Sequence, residues 1–228
     1  MCGYIEYEID SNGPIHTPDP SGLFTDILPK TTKQYYPAFH AYRPIDIVIQ
    51  QSGQYKSVEA IWWYDAEQTK DGLIPGRRTT FNARNLKSNY WASALKYHRA
   101  IVFGTGLGES KLVGKTKHQY YMKSDRLFAL AALYREFPNG QYSAAVITQD
   151  SHPKMELYHD KAFPCFMPTD GDFLKLWLDT KVTKHPEIDY LFDNPTLYPT
   201  LQVQRVKTYK ERVPYKHFEP VTLASDIY

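Results

Sequence analysis

Cysteine is nearly absent, with only Cys2 and Cys165 in 228 residues. Two thiols exclude a disulfide framework and fit a reducing compartment. Long apolar runs are missing as well. No stretch approaches the roughly 20 residues that a bilayer span needs, and no charged-then-apolar leader opens the chain. A cytoplasmic protein with no membrane partner is therefore expected, associated with the nucleoid if bacterial. Charge of one sign is scarce too: 27 Lys and Arg against 25 Asp and Glu leave a net +2, which by itself does not argue for nucleic acid. No tight His/Cys/Asp/Glu cluster suggests a metal. The glycine-rich segment 104–109 lacks both the Gly-Lys-Ser/Thr ending of a P-loop and the GxGxxG spacing of a dinucleotide turn. Neither metal nor cofactor is expected.

What is present points to a strand-rich globular chain. Hydrophobic residues make up 42% and aromatic residues 15%, including 19 Tyr, which suits sheet faces. The length is enough to bury roughly 70% of the unfolded surface in one domain spanning 1–228. A strand is expected from Cys2 into residue 9, followed by a proline-punctuated stretch to 44 with a short helix near 23–28. Residues 45–50 and 58–64 read as strands joined by a turn at 51–54. Ser88 is placed to cap a helix over 89–96. Residues 98–104 form a strand ending in the glycine-rich turn. A meander follows over 119–123, 127–135 and 142–149, with Asn139-Gly140 marking a hairpin. Helices are expected over 170–179, where Phe173, Leu174, Trp177 and Leu178 form a stripe, and over 186–192. A last strand near 201–207 leads into a basic extended tail. The class is α+β: mostly antiparallel strands forming a barrel-like sheet with a few short flanking helices.

The charge is unevenly spread. The first 29 residues hold Glu6, Glu8, Asp10, Asp19 and Asp26 and no Lys or Arg. Basic residues gather at Arg77, Arg78, Arg84 and Lys87, at Lys111–Arg126, and at Arg205–Lys216. Such groups can line a phosphate-binding groove or form a solvated mixed surface.

Removal of Met1 would make Cys2 the N-terminus. Its α-amine, with a pKa of about 7.7–8.0, would then sit beside a thiol of about 8.5. That pair can capture an aldehyde, with the amine forming an imine and the thiol closing a five-membered thiazolidine. Cys165, within Phe163-Pro164-Cys165-Phe166-Met167, reads as a small core residue.

Four pieces occur in order: Met1-Cys2-Gly3, Asn82-Ala83-Arg84, Gly106-Leu107-Gly108-Glu109, and His159 in Tyr158-His159-Asp160-Lys161. Together with the runs at 129–134 and 145–148, this order resembles the SOS response-associated peptidase (SRAP) family over residues 2 to about 168. The resemblance implies a SRAP-type enzyme, a self-processing, cysteine-peptidase-like protein. It would capture abasic sites in single-stranded DNA as a covalent thiazolidine crosslink through Cys2. It implies catalytic roles for Cys2, Asn82, Glu109 and His159. Asn82 would hold the amine, Glu109 would move protons, and His159, with His152 as a neighbouring competitor, would help open the sugar. Arg84, Arg78 and Lys161 are the implied phosphate contacts, and Trp62, Trp63 and Tyr4 the stacking ones. The sequence departs from the family at Tyr4 and Lys161, where arginine is usual, at Leu86, where an acidic residue is common, and at Gly108 and Ser110, where aromatic residues flank the glutamate. Two other readings stand beside this one: an N-terminal-nucleophile cysteine amidohydrolase, and a non-catalytic nucleic-acid-binding module whose affinity falls with salt.

Overall fold

The computed structural model describes residues 3–9 and 19–227; the expected start of the first strand at Cys2 lies outside them. β1 (Ile5–Tyr7) and β2 (Lys33–Tyr35) pair antiparallel. The expected helix near 23–28 is only a turn, in which the Ile27 and Leu28 amides both donate to Phe24 O. The Asp19 carboxylate accepts from Phe24 N at 2.6 Å and ties the turn from its other end.

β3 (Pro44–Gln51) and β4 (Gln54–Ile61) form the expected hairpin. Its two turn residues, Ser52 and Gly53, have φ of 53° and 78°. That left-handed pair matches the right-handed twist of the strands it joins. The polar stretch after it contains an unexpected small hairpin, β5 (Ala66–Thr69) with β6 (Gly72–Pro75). Such short strands carry too few apolar positions for alternation to mark them.

β7 (Asn82–Ala83) leads to α1 (Asn89–Tyr97), which starts after Ser88 as expected, although the serine side chain makes no capping bond. β8 (Arg99–Val113) and β9 (Thr116–Glu136) are long partners that run together from Arg99↔Leu133 to Val113↔Thr116. The glycine-rich turn at 104–109 is thus no turn but the middle of β8. Its glycines serve close approach: a Cβ on Gly104 would lie 2.7 Å from the Phe128 ring, and one on Gly108 would lie 2.7 Å from Tyr209 Cγ. Sequence alone confuses the two because a glycine run marks either a turn or a strand that other groups press against.

β10 (Tyr142–Gln149) follows, then β11 (Phe163–Pro164) and β12 (Phe166–Met167). α2 (Gly171–Leu178) buries the expected Phe173, Leu174, Trp177 and Leu178, and Asp170 caps it by accepting from Phe173 N at 2.8 Å. α3 (Pro186–Asp193), β13 (Leu201–Val206) and β14 (Val221–Leu223) complete the described chain. No helix among the described residues is long and apolar enough to cross a membrane.

The protein is α+β: among the described residues three helices accompany a large mixed sheet ordered β14-β13-β9-β10-β4-β3-β8-β1-β2. Most of its pairs are antiparallel. β10, however, runs parallel to both β4 and β7, and β8 also pairs with β9. Buried Arg99 ties the helices to this sheet. Its guanidinium donates to the carbonyls of Leu95 and Lys96 at the end of α1 and to those of Trp177, Asp179 and Val182 at and beyond the end of α2. Carbonyls that helix ends leave without partners are satisfied there by one side chain. Cys165 lies in the core as expected, and burial pushes its thiol well above the ordinary range.

Candidate functional site

The site is set by the register of β1 on β8. Ile5 pairs with Leu107 and Glu6 with Gly106, and the ladder continues where Gly108 N donates to Tyr4 O at 3.0 Å. Glu109 follows Gly108 directly on β8, one residue beyond this bond. Cys2 itself lies outside the described residues. Glu109 is 1% exposed. Burial pushes its carboxyl above the ordinary glutamate range, and the neighbouring His159 partly offsets this.

His159 reaches that carboxylate from a different part of the chain, with Nδ1 3.5 Å from Glu109 Oε2. The same nitrogen lies 2.9 Å from Ser110 O. A carbonyl only accepts, so this contact assigns the proton to Nδ1 and makes Nε2 the nitrogen that exchanges protons in the neutral ring. A 3-10 turn at Pro153–Met155 and the Met155 carbonyl, which accepts from His159 N at 2.8 Å, hold the segment in place. Lys111 on β8 reaches across to Glu156 O. His152, the competing histidine, is bound elsewhere. Its Nε2 is 3.0 Å from Asp226 Oδ2, and its ring stacks on Phe163. Only tertiary packing separates the two histidines.

Asn82 lies on β7, opposite Val146 of β10. Two residues on, Arg84 pairs with Asp150 at 2.9 Å at the exposed end of β10. Ser151 Oγ then makes a long contact with His159 O at 3.5 Å. The Asn82–Arg84 segment is thereby connected, contact by contact, to the loop that carries His159.

Three expected contact residues are placed differently. Trp62 and Trp63 are each 1% exposed. Their indole N–H groups donate to Phe81 O at 2.8 Å and Gly76 O at 3.2 Å. Their expected role as wedges against bases is corrected, because both rings are spent on the core. Tyr4 is also fully buried, edge-on to Tyr121 and 5.2 Å from the Tyr209 ring. It offers no face to a base, and burial raises its phenol well above the ordinary range. Arg78 is exposed, 5.2 Å from the Tyr90 ring, and Lys161 is exposed beyond His159. Among the described residues no group of His, Cys, Asp and Glu could hold a metal.

Sequence reasoning missed the residues that hold β1 in place. Glu6 is fully buried, yet its carboxylate accepts from Tyr121 OH and pairs with Arg212 Nη1 at 3.2 Å. Arg212 also approaches Glu8 Oε1 at 3.6 Å. It sits in the left-handed region at φ 57°, a strained conformation for arginine that the ion pairs offset. No sequence signal joins positions 206 apart. A buried carboxylate that loses its cation typically costs 3–5 kcal/mol, and the Arg212 side chain is 38% exposed, which moderates that figure. Arg212→Ala is therefore expected to cost about 2–3 kcal/mol, a fall of roughly 5–10 °C in Tm at this chain length. Thermal unfolding of the variant checks this, and an unchanged Tm would show that Glu6 needs no cation.

The sequence profile of the family described as SOS response associated peptidase (SRAP) matches residues 1–212. The chain is 25% identical over 209 residues to the abasic site processing protein of Saccharomyces cerevisiae; the match takes in 80% of this chain and 56% of the yeast protein. The chain thus spans little more than half of that relative's length. Among solved structures, a phage-related protein from Bordetella bronchiseptica superposes with a TM-score of 0.63 at 16% identity, over 94% of this chain and all of that one. A protein from Bacteroides thetaiotaomicron gives 0.54 at 17% identity, over 73% of this chain and 75% of that one. At these identities the likeness is one of fold.

Proposed function

The chain belongs to the SOS response associated peptidase family, and from that premise we propose that it captures abasic sites in single-stranded DNA through Cys2 once Met1 is removed. The observation that carries this reading is the β1–β8 register. It bonds Tyr4 to Gly108, the residue before the buried Glu109, which His159 meets from the far loop. The name of the yeast relative supports abasic-site DNA as the substrate.

The chemistry runs in three steps. His159 Nε2 takes the proton of the sugar's anomeric hydroxyl and returns it to the ring oxygen, opening the ring to the aldehyde. The Cys2 amine adds to the aldehyde carbon, and the carbinolamine loses water to give an imine, with Glu109 supplying the proton that leaves with that water. The Cys2 sulfur then bonds to the imine carbon, and the thiol proton passes to the nitrogen. The product is a thiazolidine with no oxidant or cofactor consumed. Asn82, through its amide oxygen, orients the amine. Arg84 exchanges Asp150 for a backbone phosphate, which its planar fork suits. Exposed Arg78 and Lys161 add charge along the strand path.

A denaturing gel tests this. Protein whose Met1 removal is verified by intact mass is mixed with a single strand bearing one abasic site, with the same strand after methoxyamine blocking of the aldehyde, and with an unmodified strand. The expected result is a denaturation-resistant band with the unblocked abasic strand alone. No band from correctly processed protein would sink the proposal and favour an amidohydrolase or a binding module.

A further inference from the structure

The surface beside β1 holds two cations that share one aromatic ring. Lys210 Nζ lies 3.6 Å from the Tyr36 ring centroid, and Arg43 Cζ lies 4.8 Å from it. Among the described residues no carboxylate is within ion-pair distance of either cation. Arg43 Nε, in addition, has no hydrogen-bond partner. Two cations gathered on one ring without a carboxylate partner leave positive charge open to an anion.

The position of the cluster is fixed from both ends of the chain. Ile5 pairs with Tyr35, so Tyr36 falls opposite Tyr4. Lys210 follows Tyr209, whose ring packs on Tyr4 at 5.2 Å. The loop carrying both is closed by Lys207 N donating to Val213 O and Arg212 N to Thr208 O, each at 2.9 Å, and it is pinned through Arg212 to Glu6. The cations are therefore carried on an ordered scaffold, which lowers the entropy lost when a ligand is bound. β2 is two strands from β8. At about 4.8 Å per strand, Tyr36 lies roughly 10 Å from the backbone that carries Glu109.

We propose that Arg43, Tyr36 and Lys210 form a phosphate clamp for the backbone of single-stranded nucleic acid next to the reacting sugar, the two cations gripping one phosphodiester and the ring edge meeting its sugar. The proposal deepens the abasic-site reading and rests on it. The clamp also supplies a cation beside Tyr4, where the side chain itself is buried and uncharged.

The test uses the full chain with Arg43→Gln, Lys210→Gln and the double variant. Binding is measured by fluorescence anisotropy on an unmodified strand over a salt series. A second set of strands carries one neutral methylphosphonate, moved stepwise along the backbone around an abasic site. One lost phosphate contact should lower the magnitude of the logarithmic salt slope by about 0.7, and the double variant should show that change. Wild type should lose several-fold in affinity with methylphosphonate at one position flanking the lesion, and the double variant should be insensitive there. Circular dichroism and Tm should match wild type, since neither side chain supports the core. Equal losses at every methylphosphonate position would mean diffuse attraction and overturn the clamp. So would unaltered salt slopes in protein that still captures the lesion, and then the clamp alone fails. Protein that binds no strand of any kind overturns clamp and capture together.

Discussion

Cys2→Ala is expected to abolish the denaturation-resistant band while leaving salt-sensitive binding of unmodified single strands within about twofold of wild type. The thiazolidine needs amine and sulfur on adjacent carbons; alanine keeps the amine and removes the sulfur. An imine to the alanine amine still forms and hydrolyses, so borohydride should trap it as a reduced adduct. That trapping distinguishes loss of ring closure from loss of recognition. The tests are the same gel with and without borohydride, and anisotropy on the unmodified strand. Cys2→Ser offers a second view, because its five-membered product reopens readily and its band should fade on heating. A full-strength, heat-stable band from Cys2→Ala would place the nucleophile elsewhere. The buried Cys165 is a poor candidate, since a thiol whose ionisation burial opposes is a weak nucleophile. Loss of both binding and capture would instead point to Cys2 as a structural residue.

The second large effect belongs to Glu109. Glu109→Gln keeps shape and burial but removes the exchangeable proton, so capture is expected to slow by roughly a hundredfold or more. Binding of unmodified strands should not change. A stability signature accompanies the rate. Burial raises the Glu109 carboxyl above its ordinary 4.5, so the folded protein holds that proton more tightly than the unfolded chain does. The stability linked to it is fully present below the ordinary value and is lost as pH rises through the raised folded value. Glutamine carries no such proton. The Tm of the variant relative to wild type should therefore climb as pH rises above the ordinary glutamate value. A Tm difference that stays flat with pH would mean the carboxyl titrates normally, and unimpaired capture would remove Glu109 from proton transfer. A His159→Ala variant that slows capture of the closed-ring sugar, but not of a strand already ending in a free aldehyde, would separate the two proton-transfer roles.

Several elements were legible because their signals are local. Asp170 and the apolar stripe on α2 lie within about two turns, where capping and the 3.6-residue period operate. The β3–β4 turn was legible from a short polar linker containing glycine between two apolar runs. The order of Cys2, Asn82, Glu109 and His159 pointed to a family, and the profile match over residues 1–212 shows that family. Cys165 was assigned to the core from its apolar neighbours, and it lies there.

Other assignments depended on partners far away in the chain. Two adjacent tryptophans in a polar-flanked segment look the same in sequence whether they face DNA or the core. Their burial is decided by the carbonyls of Phe81 and Gly76 that take their N–H groups. The glycines of β8 read as a turn until Phe128, Tyr121 and Tyr209 are seen pressing on them. His152 and His159 lie on one irregular loop, and only Asp226 and Glu109 sort them. Glu6 and Arg212 carry no local mark of their partnership. The sequence by itself determined the class, the period-driven elements and the order of the chemical groups, because those follow from residues a few positions apart. The tertiary structure alone decided which groups meet, which rings are spent on packing and where charge is left to bind. Those outcomes depend on pairings across 13 to 206 positions, which no local periodicity encodes.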